Sequence, residues 1–143
     1  MIKSKTLNVA CVGLDFFNYY YIDIIKNRIG RDVDCFKCAD EALEGILQRE
    51  YPIIIVSTTI APGNFKGGRV NGIGIHYPQV SMDLIKQIRI FDGYRITPII
   101  AIGPTNTEYT PSQEYLNSGA TGVFVGFDNT HRDFERLIKR FLN

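Results

Sequence analysis

Four aliphatic residues in a row behind a proline, Ile53, Ile54, Ile55 and Val56, limit the fold of this chain more than any other stretch. A strand with one wet face alternates apolar and polar residues. This run does not, and it fits a strand of a parallel sheet covered by helices on both faces. Strands of that kind deliver their C-terminal ends to the crevice where open α/β sheets bind ligands and do chemistry. Here that end carries Ser57, Thr58 and Thr59, with no carboxylate, cysteine or histidine.

The flanking sequence supplies the remaining elements in alternation. Residues 7–14 read as a first strand broken at Gly13, and residues 16–29 as a helix with Phe17, Tyr21, Ile24, Ile25 and Arg28 on one face and Gly30 as its stop. That assignment leaves Phe16, Tyr19 and Tyr20 off the core face. A second strand is expected over 33–38 and a helix over 40–49, with Leu43, Ile46 and Leu47 inward. Beyond the central strand lies a long loop, 61–80, and Ser81 is expected to cap a helix that turns Leu84, Ile85 and Ile88 inward. Pro98 opens a fourth strand over 99–102. Thr110-Pro111-Ser112-Gln113 has the form of a capping box with proline at the first helical position, and Gly119 ends that helix. A fifth strand over 123–125 follows, and Asp128 or Asn129 leads into a last helix with Phe134, Leu137, Ile138 and Phe141 on its apolar face. Five strands alternating with five helices predict an α/β doubly wound parallel sheet with the flavodoxin-like order 2-1-3-4-5. At 143 residues the chain is expected to be one domain, 1–143.

Charge and cysteine content narrow the partners. A net charge of +1 gives no general electrostatic reason to expect nucleic acid or an anionic membrane, and no apolar segment approaches the length of a membrane span. The cysteine count is three, an odd number that suits thiols of a reducing compartment, so the expected location is cytoplasmic. Cys35 and Cys38 have C-x-x-C spacing, which raises redox or metal chemistry. With no helix N-terminus directly behind the motif and no second cysteine pair for zinc, neither is expected, and no cofactor or metal is assigned.

Once the elements are placed, the chain resembles the receiver domain of two-component response regulators (CheY-like) over nearly its whole length. The resemblance is carried by Ala42-Leu43, by PIIIVSTTIAP at 52–62, by LIKQIR at 84–89, by TPIIAIG at 97–103 and above all by NSGATGVFV at 117–125. It implies a phosphoacceptor aspartate at the end of strand three, where this chain has Thr58 beside Ser57. The acidic pair that holds Mg²⁺ in receivers falls on Gly13 and Leu14, with Asp15 one step further on. The hydroxyl residue closing strand four becomes Gly103, and the lysine after strand five becomes Gly126, with Phe127 in place of the usual proline. Phosphoryl transfer depends on positioned cations that neutralise charge building on the oxygens. The expectation is therefore a degenerate receiver, not an enzyme, that acts in a bacterial signalling pathway through protein–protein contact without aspartyl phosphorylation.

Other chemistry has less support. A serine or threonine nucleophile needs an adjacent base, and His76 in the long loop is the only candidate; otherwise the hydroxyls of Ser57, Thr58 and Thr59 satisfy backbone groups at a strand end. Flavin binding needs a glycine- and hydroxyl-rich phosphate loop after strand one, unlike Leu14-Asp15-Phe16-Phe17, and the D-x-H-x-x-G arrangement of cobalamin domains is absent. Lys66, Gly67, Gly68 and Arg69, with His76, form a candidate anion loop of backbone N–H groups and cations, the alternative being a plain insertion or small hairpin. The alternative function is thus a small-molecule or anion sensor that uses this loop and a pocket vacated by the missing acids. Phe16, Tyr19 and Tyr20 are candidate interface residues, because they exceed what one helical face can bury. The resemblance adds Tyr115, Phe124 and Phe127 as candidates for a homodimer face.

Overall fold

The computed structural model describes residues 4–14, 19–60, 77–103, 111–126 and 130–142. Five parallel strands make the main sheet: β1 (Val9–Val12), β2 (Val33–Phe36), β3 (Ile54–Ser57), β4 (Ile99–Gly103) and β5 (Gly122–Val125), side by side in the order β2-β1-β3-β4-β5. Two short strands that the sequence did not announce, Ser4–Lys5 and Arg49–Glu50, pair separately. Counted with them, the main sheet reads 3-2-5-6-7.

The helices are α1 (Tyr19–Asp23), which runs directly into a π-helical turn at Ile24–Ile29, then α2 (Ala39–Ile46), α3 (Tyr77–Ile90), α4 (Ser112–Ser118) and α5 (His131–Leu142). Strand residues alternate between two cores, as the two-residue period of a strand requires. On one face Val9, Cys11, Ile53, Ile55, Ile100 and Ile102 meet Tyr21, Ile25, Phe134 and Ile138. On the other, Ala10, Val12, Ile54, Val56, Ile99 and Ala101 meet Ala42, Ile46, Ile85, Ile88 and Tyr115. Both faces are dry, which is why the central strands show no polar alternation. Each fully buried isoleucine contributes about 1.5–3 kcal/mol by removal from water.

Several local expectations are corrected. The strand β2 stops at Phe36, and Cys38 is the N-cap of α2, so a helix N-terminus does stand directly behind the C-x-x-C motif. No disulfide joins its cysteines; Cys38 is buried at the cap and Cys35 is exposed on the edge strand. The π turn adds a residue to the helical repeat and carries Arg28 outward, to 68% side-chain exposure, where an ideal α-helix would have turned it inward. The helix α3 includes Tyr77–Ile90, and Ser81 is a buried residue within it rather than its cap. At α4 the N-cap is Pro111, and Thr110 lies outside the described residues. Entry to α5 is fixed by Thr130 and Asp133: the Asp133 carboxylate accepts the Thr130 N–H at 2.8 Å, and Thr130 Oγ1 accepts the Asp133 N–H at 3.2 Å. This is the reciprocal arrangement of a capping box, with aspartate in the acidic position.

Candidate functional site at the strand ends

The C-terminal ends of β1, β3, β4 and β5 stand level with one another. Val12 is in register with Val56, Ser57 with Ile102, and Gly103 with Val125. The backbone N–H of Thr58 bonds to Ile102 O at 2.9 Å, and that of Gly126 to Gly103 O at 2.8 Å. Gly13, Ser57-Thr58, Gly103 and Gly126 are thereby gathered at one end of the sheet. Among the described residues, none of these terminal positions carries a carboxylate or a cation.

The expected vacancy is filled. Gly13 has φ 76°, a conformation that costs a residue with a Cβ, and a Cβ placed on it would lie 2.3 Å from Ile60 Cγ2 and 3.2 Å from Ser57 Cβ. Ile60 is 2% exposed, so its side chain occupies the space into which an acid at position 13 would project. Across the site, a Cβ on Gly126 would lie 2.7 Å from the Tyr21 hydroxyl and 3.6 Å from Gly103 O. Tyr21 is held there by ring contacts with Phe134 at 4.6 Å and Phe124 at 5.9 Å. Burial, reinforced by its hydrogen bond with Tyr20, pushes the Tyr21 phenol well above its ordinary range, so the group stays neutral. An aliphatic plug and a neutral phenol thus stand where the resemblance places the acidic pair and the lysine. Together with the glycines, they do not fit a divalent cation, which requires several hard oxygen ligands.

The hydroxyls at the end of β3 are engaged locally. Ser57 Oγ lies 3.1 Å from Thr59 Oγ1 and accepts the Thr59 N–H at 3.3 Å, while Ser81 Oγ donates to Ser57 O at 2.7 Å. This is the reading in which Ser57 and Thr59 serve the backbone. Thr58 differs: its side chain is fully buried and Oγ1 has no hydrogen-bond partner among the described residues. A buried hydroxyl without a base or a cation is a poor nucleophile, and the described histidine, His131, is stacked on Tyr20 with ring centroids 4.6 Å apart.

The candidate residues differ in where the fold places them. Gly13, Ser57, Thr58, Gly103 and Gly126 lie together at the strand ends, with Ile60 beside Gly13 and the Tyr21 hydroxyl beside Gly126, while Leu14 is buried in the core. Tyr115, at 0% exposure, and Phe124, at 4%, are core residues and are corrected as interface candidates. Tyr115 of α4 packs in the core shared with α3, and burial pushes its phenol up to about 12. Tyr20 is exposed, as an interface residue must be. Tyr19 is placed in α1, and Asp15, Phe16, Lys66, Gly67, Gly68, Arg69, His76 and Phe127 lie outside the described residues. Ile60 carries no mark of a site residue in the sequence, and Tyr21 reads there only as a core residue. The signal for both was glycine at 13 and 126, since a glycine facing a packed site marks a place where another side chain approaches the backbone.

No protein-family model matches the chain, and no curated protein matches its sequence. Solved structures do. The chemotaxis response regulator CheY4 of Vibrio cholerae is similar with a TM-score of 0.67 at 19% identity, over 98% of this chain and 99% of that one. The chain has the receiver-domain fold. A two-component response regulator from Clostridium difficile gives a TM-score of 0.69 at 17% identity, covering 96% of each chain. The receiver domain of the sensor histidine kinase PA1611 from Pseudomonas aeruginosa, with a magnesium ion coordinated in its active-site cleft, gives 0.68 at 14% identity over 99% and 98%. At such identities the likeness is one of fold, so the chemistry of this chain has to be argued from its own residues.

Proposed function

We propose that this chain is a phosphorylation-independent, receiver-like signalling module that works by protein–protein contact and catalyses no reaction of its own. The observation that carries the reading is the pair of side chains in the strand-end site, with Ile60 against Gly13 and the Tyr21 hydroxyl against Gly126. A receiver needs carboxylates for a divalent cation, an acceptor aspartate and a cation for the phosphoryl oxygens. Here the corresponding volume is used for packing, and Thr58 at the acceptor position is sealed at 0% exposure. Among the described residues a phosphoryl donor meets no carboxylate at these strand ends, and the space beside Gly13 and Gly126 is taken by Ile60 and the Tyr21 hydroxyl. The same packing weakens the sensor reading, because the space assigned to its ligand at these positions is occupied.

Incubation of the chain with acetyl phosphate and Mg²⁺, followed by intact mass, tests this proposal. An unchanged mass is expected, whereas gain of one phosphoryl group would overturn it.

A further inference from the structure

The helices α2 and α5 show solvent opposite and uniform charge. Within α2 the exposed residues are Asp40 and Glu44, one helical turn apart. Within α5 they are His131, Arg132, Arg136, Lys139 and Arg140. The α5 acids are used internally: Asp133 caps the helix through Thr130, and Glu135 holds Lys139 at 3.0 Å and Arg28 at 3.6 Å. Arg132, Arg136 and Arg140, each four residues from the next, form a stripe along the helix and make no salt bridge among the described residues.

The acidic side also has shape. A groove of about 310 Å³ runs between α2 and the edge strand β2, lined by Phe36, Glu41, Glu44, Gly45, Gln48 and Cys35. The Phe36 ring lies directly on Gly45, where a Cβ would come within 2.2 Å of Cε1. Glu41 uses Oε2 to accept the Lys37 N–H at 3.0 Å, which leaves its other oxygen for a further donor. An aromatic wall beside two carboxylates is the combination that receives a guanidinium, by cation–π contact and charge-assisted hydrogen bonds.

The two surfaces cannot meet within one molecule, because α2 packs on the Ala10–Val12 side of the sheet and α5 on the Val9–Cys11 side. They can meet between molecules. We infer that the arginine stripe of α5 in one copy docks onto the acidic α2–β2 groove of a second copy, with a stripe arginine inserted beside Phe36, Glu41 and Glu44. The contact is head-to-tail, so each copy keeps one unused surface of each sign and association continues instead of closing at a dimer. Exposed charges of this kind govern association rate and specificity more than affinity, so the assembly is weak and salt-sensitive. The inference deepens the protein-contact reading above and rests on it, but the phosphorylation test and the test below fail independently.

Sedimentation equilibrium of the full chain across a concentration series provides the test. Weight-average mass is expected to rise with concentration at roughly 0.01 M salt, where the Debye length is about 30 Å, and to return to the monomer at roughly 1 M, where it is about 3 Å. Glu44→Arg removes only the acceptor surface and Arg136→Glu only the donor surface, so each variant alone is expected to be monomeric at low salt. Mixed, they should form a heterodimer that grows no further. The neutral variants Glu44→Gln and Arg136→Gln, with thermal melts as a check on folding, should weaken association by about two- to fivefold. A wild-type chain that stays monomeric at low salt overturns the inference, as does a mixture that fails to associate from two folded variants. A monomer that instead binds heparin through α5 would also overturn it, in favour of a polyanionic partner.

Discussion

If Ile60 closes the strand-end site by occupying the space above Gly13, the two positions must be energetically coupled. Gly13→Ala introduces a methyl that would stand 2.3 Å from Ile60 Cγ2, on a backbone with φ 76°. The left-handed conformation costs an alanine about 1–2 kcal/mol, and forcing a methyl into a packed core costs about 1–3 more, for a total of about 2–5 kcal/mol. Ile60→Ala on its own opens a cavity at a residue 2% exposed and should cost about 2–5 kcal/mol. In the double variant the added methyl enters space that the isoleucine has left. The packing part of the penalty then disappears while the backbone strain remains, so the double variant should be more stable than the sum of the singles by about 1–3 kcal/mol. Urea unfolding of all four proteins, with unchanged m-values, measures this coupling. Additivity to within about 0.5 kcal/mol would show that Ile60 does not fill the place of the missing acid, and the account of a closed site would fall with it.

Other perturbations give separate tests. Thr58→Val replaces a buried hydroxyl that has no partner with an isosteric methyl, and should stabilise the fold by about 1–2 kcal/mol in the same denaturant assay; a loss of similar size would mean that the hydroxyl is used. Arg89 donates to the carbonyls of Gly119, Tyr94 and Thr97 and to Thr121 Oγ1, tying the end of α3 to the approaches of β4 and β5. Arg89→Met should cost about 3 kcal/mol, and Arg89→Lys should recover little of it, since an ammonium cannot reproduce the planar fork. Hydrogen bonds from Thr130 hold the Asp133 carboxyl below its ordinary range. The unfolded chain then binds the proton more readily, so this contribution is complete above the ordinary carboxylate range and is lost as pH falls through the lower folded value. Protection factors of the amides in the first turn of α5, corrected for the intrinsic slowing of exchange in acid, should accordingly fall on acidification, and Asp133→Asn should lower them already at neutral pH.

The fold was legible because its strands are buried on both faces. The runs at 53–56 and 99–102 can be placed nowhere wet, and their spacing leaves room only for crossover helices. Boundaries set by side chains acting at a distance were not legible. Ser81 looks like a cap in sequence, but its hydroxyl is spent on Ser57 O, and the π turn after Asp23 has no compositional mark. The candidate site was legible as a set of absences at Gly13, Thr58, Gly103 and Gly126. What replaced the missing groups was not, because Ile60 and Tyr21 come from different elements and reach those positions only when the chain is folded. Tyr115 and Phe124 show the opposite error: aromatics assigned to a surface by resemblance are needed by the two cores.

The claim that the receiver site is closed by packing can be tested most directly by titrating the ¹⁵N-labelled chain with Mg²⁺ and beryllium fluoride, a phosphoryl mimic, and following the amide resonances of Gly13, Thr58, Gly103 and Gly126. A site closed by packing gives no saturable shift at these four amides at any concentration that leaves the protein folded. Saturable shifts confined to them would mean that a phosphoryl-sized anion and a cation still enter, and would contradict it.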